Sequence, residues 1–233
     1  TASRVSLFLA EPIMGVGGLC PQPCGFINEA VDHVKAAGGL YLSDEVQTGF
    51  GRTGSHYWGF EMLGTKPDIV SMAKQQGNGF PLAAVAMSKE VANCLAPKLT
   101  FSTYGGNPVA MAAGREVLKV IDDENLQQNS KDRGDQFLKG LNELKSKYKQ
   151  IGDVRGTGLM IGVEMVKNRD ENLDPMDATM FADIFEKTKD YGILFGKGGR
   201  YGNVFRIQPP MCLSSSDVEF ALNVFEKSIQ ESI

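Results

Sequence analysis

The sequence predicts an α/β protein in which a mostly parallel sheet with covering helices is followed by a smaller α+β unit. In the first half, short apolar runs alternate with amphipathic stretches of helical spacing, a pattern typical of parallel sheets. From Pro108 onward, two long helical patterns follow each other with no strand signal between them, and short strands return only after Gly152. We therefore predict a partial large domain over residues 1–111 and a C-terminal small domain over residues 112–233.

The first half contains four predicted strands, and a helix joins the first two. Each strand is a short apolar run, and together they cover residues 5–10, 40–43, 69–72 and 83–87. Residues 26–37 carry apolar side chains at helical spacing, and Gly38 and Gly39 end this helix. The order strand, helix, strand predicts that the first two strands run parallel.

The second half begins with helical patterns from Pro108 to about Ile121 and from Asn125 to about Lys149. Short strands are predicted at residues 159–165, 193–195 and 204–207, with a helix over residues 176–191 and a last helix from Ser216. This mixture of helices and short strands predicts the smaller α+β unit.

Composition excludes several classes of function. The formal net charge is −4 and no run of Lys or Arg forms a basic stripe, so we expect no nucleic-acid partner. The apolar runs are strand-sized, so we expect no membrane span. Four cysteines and two histidines are too few for a disulfide scaffold or an evident zinc site, so we predict free thiols and no metal. The chain starts at Thr1 and enters a strand pattern almost at once, without a targeting segment, and we expect it to be part of a longer protein.

An acid and an amine follow two of the predicted strands. Asp44 comes directly after residues 40–43, and Lys74 follows residues 69–72 after a single alanine. Taken alone, such an acid is usually a helix cap or ion-pair partner, and such a lysine is usually solvated. The carboxyl ends of parallel strands meet at one rim, where ligands collect. An amine between apolar Met72 and a glycine-rich turn could be partly desolvated there and attack a carbonyl.

The surrounding sequence is more specific. Residues 41–54 read YLSDEVQTGFGRTG and residues 67–74 read PDIVSMAK, which together resemble the cofactor-attachment signature of the class-III, fold type I aminotransferases that use pyridoxal 5'-phosphate. The similarity continues in STYGGNP at 102–108, VRGTGLM at 154–160 and FRIQPP at 205–210. Residues 54–60 and 77–81 most resemble the mitochondrial alanine–glyoxylate branch of that family.

The resemblance implies a role for individual residues. Lys74 matches the lysine that holds the cofactor as a Schiff base, and Asp44 the acid that pairs with the pyridine nitrogen. Val46 matches the residue packed on one face of the ring, and Gln47 the side chain near the ring hydroxyl. The remaining two implied roles belong to Thr103, which would bind the phosphate of the other subunit of a homodimer or higher oligomer, and Arg206, which would bind the substrate carboxylate.

The implied reaction is transamination between an alanine-type amino acid and an oxo acid such as glyoxylate or pyruvate, in a mitochondrial enzyme of which this chain is the C-terminal part. Val16 stands where ornithine-type relatives have a glutamate that shields the arginine, which favours alanine-type donors. Gln75 and Gln76 stand where relatives usually have a glycine and a small or aliphatic residue. Two alternatives stay open, namely a phospholyase of the same fold and a catalytically incomplete fragment. Thr48 and Ala73 argue mildly against the phospholyase.

Overall fold

The structure, a computed structural model, describes residues 4–233. Within this range the strands, in chain order, are β1 Leu7–Ala10, β2 Ile13–Met14, β3 Cys20–Pro21, β4 Leu40–Asp44, β5 Ile69–Met72, β6 Ala84–Met87, β7 Ile151–Thr157, β8 Met160–Asn168, β9 Asn172–Pro175, β10 Gly196–Gly198 and β11 Val204–Ile207. The helices are α1 Phe26–Ala36, α2 Gly59–Met62, α3 Lys89–Leu95, α4 Pro108–Asp123, α5 Leu126–Lys147, α6 Ala178–Asp190 and α7 Ser215–Gln230.

The chain divides into two compact units. The first comprises the chain up to Ile13, Gln22–Gly51 and His56–Gln127, and the second comprises Met14–Pro21, Arg52–Ser55 and Gln128–Ile233. The predicted boundary between residues 111 and 112 falls inside α4, which belongs wholly to the first unit. The physical reason is packing: a Cβ added at Gly114 would lie 2.5 Å from Leu82 Cδ2.

The first unit is built on a four-stranded sheet in the order β1-β4-β5-β6. β1, β4 and β5 run parallel and β6 is antiparallel, so the predicted α/β class with a mostly parallel sheet is confirmed. Helix α1 connects β1 to β4 and covers one face of the sheet. Its residues Ile27 and Val31 pack on Tyr41, with Phe8 and Ala10 against the same cluster.

The second unit contains an antiparallel sheet in the order β10-β11-β8-β7, with β9 paired to β8. The centre of the unit is aromatic: the ring of Phe205 lies 4.5 Å from that of Phe181 and 5.1 Å from that of Phe225. These contacts join the sheet to α6 and α7. No helix within residues 4–233 combines the length and the apolar composition that crossing a membrane requires.

Several predicted elements have different bounds. No strand forms at residues 193–195, and the edge strand of the second sheet is β10, Gly196–Gly198, whose three residues pair with Val204–Arg206. Strand β7 was missed because Gly152, Asp153, Arg155 and Gly156 interrupt the apolar alternation that signals a strand. The pairing that forms β7 comes from β8, which lies beside it in the sheet.

Candidate active site

Three strand ends meet at one rim of the first unit. Ala10 at the end of β1 pairs with Ser43 in β4, and Asp44 at the end of β4 pairs with Ser71 in β5. Because the three strands are parallel, the residues that follow them leave the sheet on the same side. Glu11, the segment that begins at Asp44, and Lys74 therefore share this rim.

Asp44 is half-buried and held across two strands. Its oxygen Oδ1 accepts hydrogen bonds from Ser71 Oγ and from the backbone N–H of Val46, both at 3.1 Å. Among residues 4–233, no donor lies within hydrogen-bonding distance of the second oxygen, Oδ2. The carboxylate is thus fixed through one oxygen, and the other remains available to a ligand that carries an N–H group.

Lys74 begins a short 3-10 turn, Lys74–Gln76, directly after β5. Its φ of 44° is left-handed, which is uncommon for a residue with a Cβ atom. The turn closes through a bond of 3.1 Å from the N–H of Gly77 to the carbonyl of Lys74. Lys74 itself is exposed, whereas the sequence led us to expect partial desolvation.

Gln47 and Val46 lie in the segment after β4, and both are half-buried. The side-chain amide of Gln47 donates to Glu11 Oε2 at 3.5 Å, and its backbone carbonyl accepts a bond of 2.8 Å from Gln75 Nε2. Gln47 therefore contacts residues that follow both neighbouring strands. The structure brings Asp44, Val46, Gln47 and Lys74 onto adjacent strand ends, and the order of the predicted strands had led us to expect this shared rim for Asp44 and Lys74.

Glu45 is a residue of this rim whose importance the sequence did not reveal. It is fully buried, and its carboxylate accepts four hydrogen bonds: from Ser43 Oγ at 3.0 Å, Thr48 Oγ1 at 2.5 Å, and the backbone N–H groups of Gly59 at 2.7 Å and Phe60 at 2.8 Å. These bonds fix the path of the segment that carries Asp44 and Gln47. One signal could have found this contact, since the N-cap residue Trp58 has no side-chain acceptor for the first N–H groups of α2, which need one from elsewhere.

Thr103 lies in an exposed turn of the first unit. The turn closes with a bond of 3.2 Å from the N–H of Gly105 to the carbonyl of Ser102, and Asn107 caps α4 by accepting from the N–H of Ala110 at 2.9 Å. The structure therefore places Thr103 before a helix that Pro108 opens, as predicted. It does not bring Thr103 into hydrogen-bonding contact with Lys74 within the described chain.

Arg206 belongs to the second unit. It lies on β11 opposite Gly196, is half-buried, and donates through Nη2 to Gln208 Oε1 at 2.7 Å. Gly198 leaves room for the arginine, because a Cβ there would lie 2.5 Å from Arg206 Cδ and 2.7 Å from the carbonyl oxygen of Val16. Arg206 also lines a cavity of about 650 Å³ whose other walls, including Phe195 and Leu213, are mainly apolar.

Arg52 of the YLSDEVQTGFGRTG stretch is a structural residue of the second unit. Its Nη1 donates to the carbonyl oxygens of Pro209 at 2.9 Å and Leu159 at 3.4 Å. Burial lowers the pKa of the Arg52 guanidinium to about 10. These contacts hold the segment that follows Arg206 in place, so the conspicuous arginine of the motif serves the fold and is not one of the rim residues.

Comparison with known proteins agrees with this arrangement. The chain is 46% identical over 231 residues to human mitochondrial alanine–glyoxylate aminotransferase 2, an alignment that covers 99% of this chain and 45% of that protein. A solved Arthrobacter phospholyase in complex with phosphoethanolamine matches with a TM-score of 0.92 at 35% identity, covering 97% of this chain and 53% of the other. The chain thus spans about half the length of the relatives it matches.

A third similar protein carries the cofactor. An amine transaminase from an uncultivated Pseudomonas species, solved in the pyridoxal-phosphate-bound form, has a TM-score of 0.88 at 29% identity and covers 97% of this chain and 52% of its own. The family model described as aminotransferase class-III matches residues 1–229. This chain therefore belongs to the class-III aminotransferases.

Proposed function

We propose that the chain carries catalytic residues of a pyridoxal-phosphate-dependent transaminase, which moves an amino group from an alanine-type donor to an oxo acid such as glyoxylate or pyruvate. The observation that carries this proposal is the shared rim of Asp44 and Lys74. Asp44 is anchored by Ser71 of the strand that leads to Lys74. The relatives supply the reaction class, and the strand ends supply an acid and an amine for it.

The rim residues fit this cofactor. The Oδ2 atom of Asp44 is available to accept a hydrogen bond from a protonated ring nitrogen. The exposed amine of Lys74 is available to the cofactor aldehyde. Val46 offers an aliphatic side chain to one ring face, and Gln47, already bonded to Glu11, offers a polar group near the ring hydroxyl.

Each rim residue has a definable task in the reaction. When bound, the cofactor supplies a reactive aldehyde and an electron-withdrawing ring. Lys74 Nζ would hold the cofactor through its aldehyde, and as a free amine it would be the group that takes the proton from the substrate α-carbon. Asp44 keeps the ring nitrogen protonated, because a carboxylate stabilises a positive charge beside it.

Arg206 binds the substrate carboxylate in this proposal. A guanidinium offers two parallel N–H groups that match the two oxygens of a carboxylate. The Val16 side chain is 67% exposed and carries no charge that could pair with the arginine. Because Val16 stands where ornithine-type relatives have a glutamate, we propose that Arg206 binds a carboxylate in both half-reactions, which favours alanine-type donors over ω-amino donors.

Thr103 and the relatives support two further proposals. We place Thr103 at the phosphate of a second subunit in a homodimer, because its hydroxyl lies in an exposed turn with backbone N–H groups beside it. We also propose a mitochondrial location, since the human relative is named mitochondrial. Fractionation of cells that express the complete gene product tests the location.

The Schiff-base assignment of Lys74 is tested by replacing it with alanine. With pyridoxal phosphate added, we expect the unmodified chain to develop a cofactor absorbance band distinct from that of the free aldehyde, and Lys74→Ala to lose it. Lys89→Ala, an exposed lysine of the same unit, is the matched control and keeps the band. A band that persists in Lys74→Ala refutes the assignment.

Phospholyase activity is the second candidate, because the Arthrobacter structure of that class is so similar. Supplying alanine with glyoxylate in one assay and phosphoethanolamine in another separates the two reactions. Transamination predicts pyruvate release only in the first assay, whereas a lyase releases inorganic phosphate in the second. A chain that acts in neither assay and gives only the free-aldehyde spectrum is a catalytically incomplete fragment.

A further inference from the structure

The turn that carries Lys74 needs support from outside itself. Lys74 has a φ of 44°, and a residue with a Cβ atom stays in this conformation only where its surroundings fix it. The local bonds of the turn run from the N–H of Gln76 to the carbonyl of Ala73 and from the N–H of Gly77 to that of Lys74. These bonds define the shape of the turn, but they do not fix it against the neighbouring strand end.

Gln75 makes a longer-range connection. Its Nε2 atom donates at 2.8 Å to the backbone carbonyl of Gln47, which is 28 positions away in the sequence. The carbonyl can only accept, so the nitrogen and not the oxygen of the Gln75 amide faces it. Gln47 donates in turn to Glu11. One series of hydrogen bonds thus joins the segments that follow β1, β4 and β5.

The other end of the Gln75 amide makes no bond of its own within the described chain. Its oxygen, Oε1, is buried and has no hydrogen-bond partner among residues 4–233. The Oε1 atom of Gln76 is buried without a partner as well, so the feature that distinguishes Gln75 is its N–H bond to Gln47.

We propose that Gln75 is a positioning residue for Lys74, which holds the lysine turn against the segment that carries Asp44 and Gln47. The inference rests on the proposed function, in which Lys74 binds the cofactor. The family resemblance led us to expect a glycine at this position. The Gln75 side chain instead forms a hydrogen bond that holds the turn in one conformation, which a glycine cannot do. Gln75 itself touches neither substrate nor cofactor in this proposal.

Two substitutions test the role of the N–H group. Gln75→Ala removes the side chain, and Gln75→Glu keeps its shape but replaces the donor with an acceptor that repels the Gln47 carbonyl. Each protein is mixed with pyridoxal phosphate, samples are reduced with borohydride at intervals, and the modified Lys74 peptide is quantified by mass spectrometry. We expect attachment to be about tenfold slower in both variants, since the loss of one hydrogen bond is an effect of this order.

Gln76→Ala is the matched control, because it alters the next side chain of the same turn and keeps the Gln75 bond. We expect its attachment rate to equal that of the unmodified chain. Equal rates in Gln75→Ala, Gln75→Glu and the unmodified chain overturn the inference and leave the proposed function standing. If the unmodified chain forms no Lys74 adduct, the proposed function itself fails.

A measurement without cofactor tests the hydrogen bond between Gln75 and Gln47 by itself. In hydrogen exchange, the amides of Gly77 and Asn78, which close the turn, should exchange several-fold faster in Gln75→Ala and Gln75→Glu than in Gln76→Ala. A merely structural role would change exchange without slowing attachment. Unchanged exchange at both amides overturns the inference whatever the cofactor result.

Discussion

Two adjacent acids at the end of β4 have opposite environments. Asp44 is half-buried and keeps one carboxylate oxygen for a ligand, whereas Glu45 is fully buried and accepts four hydrogen bonds. Asp44 is the last residue of β4 and Glu45 the first residue after it, so one of these neighbours is available for chemistry and the other stabilises the fold. Thr48 belongs with Glu45, because its hydroxyl binds that buried carboxylate.

Replacing Glu45 with glutamine should destabilise the first unit by about 3 kcal/mol, because an amide cannot accept from all the donors that surround the carboxylate. Trp58, the single tryptophan, adjoins Gly59 and Phe60, whose N–H groups bind Glu45. Its fluorescence in a urea titration therefore reports on this region. Glu90→Gln, at an exposed position of α3, is the control. Equal midpoints for the two variants would contradict the structural role of Glu45.

The sequence predicted which residues share the rim and not how they are bonded. Asp44 and Lys74 were identifiable because each follows a short apolar run, and parallel strands end on one side of a sheet. The bond from Gln75 to Gln47 depends on the path of two loops, which no periodic pattern encodes. Glu45 was inconspicuous for a similar reason, since its partners Gly59 and Phe60 begin α2, 14 and 15 positions away in the sequence.

At the scale of elements, two glycines of α5 have different neighbours. A Cβ added at Gly134 would lie 2.3 Å from the carbonyl oxygen of Gly158, which is backbone. A Cβ added at Gly140 would lie 2.4 Å from Leu222 Cδ1, the end of a flexible side chain. Helix propensity alone favours alanine over glycine at both positions by about 1 kcal/mol. The neighbouring atoms therefore decide whether each glycine-to-alanine substitution stabilises or destabilises the second unit.

We expect Gly134→Ala to destabilise the second unit by about 2 kcal/mol, because the backbone at Gly158 must shift to admit the methyl group. Gly140→Ala should stay within about 1 kcal/mol of the unmodified chain, since Leu222 can change rotamer. Thermal unfolding followed by circular dichroism measures both variants. If Gly134→Ala unfolds at or above the melting temperature of Gly140→Ala, helix propensity outweighs the close approach of the Gly158 backbone.

The elements themselves were predicted where their sequence periodicity is strong. The predicted strand at residues 69–72 matches β5, and the predicted helix at residues 26–37 ends one residue beyond α1. β9, Asn172–Pro175, was not predicted, because three of its four residues are polar or proline. Its strand conformation comes from pairing with β8, a tertiary contact that overrides local preference.

At the scale of the whole molecule, the turn around Thr103 exposes an unusual amount of apolar surface. Leu99 is fully exposed at 100%, Phe101 at 88% and Tyr104 at 82%. Large apolar side chains grouped in this way are typical of a surface that makes protein–protein contacts, and we propose that a second subunit covers it. Thr103 lies among these side chains. The segment proposed to bind the phosphate of a second subunit is therefore also the segment that exposes this apolar surface.

Replacing Phe101 with aspartate should therefore weaken self-association. We expect the unmodified chain to sediment as a dimer whose fraction rises with concentration, and Phe101→Asp to sediment mainly as a monomer, because a buried charge without a partner opposes association. Leu173→Asp, at a 67% exposed position of β9, is the matched control and should leave the dimer intact. If the unmodified chain is monomeric at every concentration, or if both variants dissociate alike, the turn around Thr103 is not the dimer surface, and the phosphate role of Thr103 loses its structural basis.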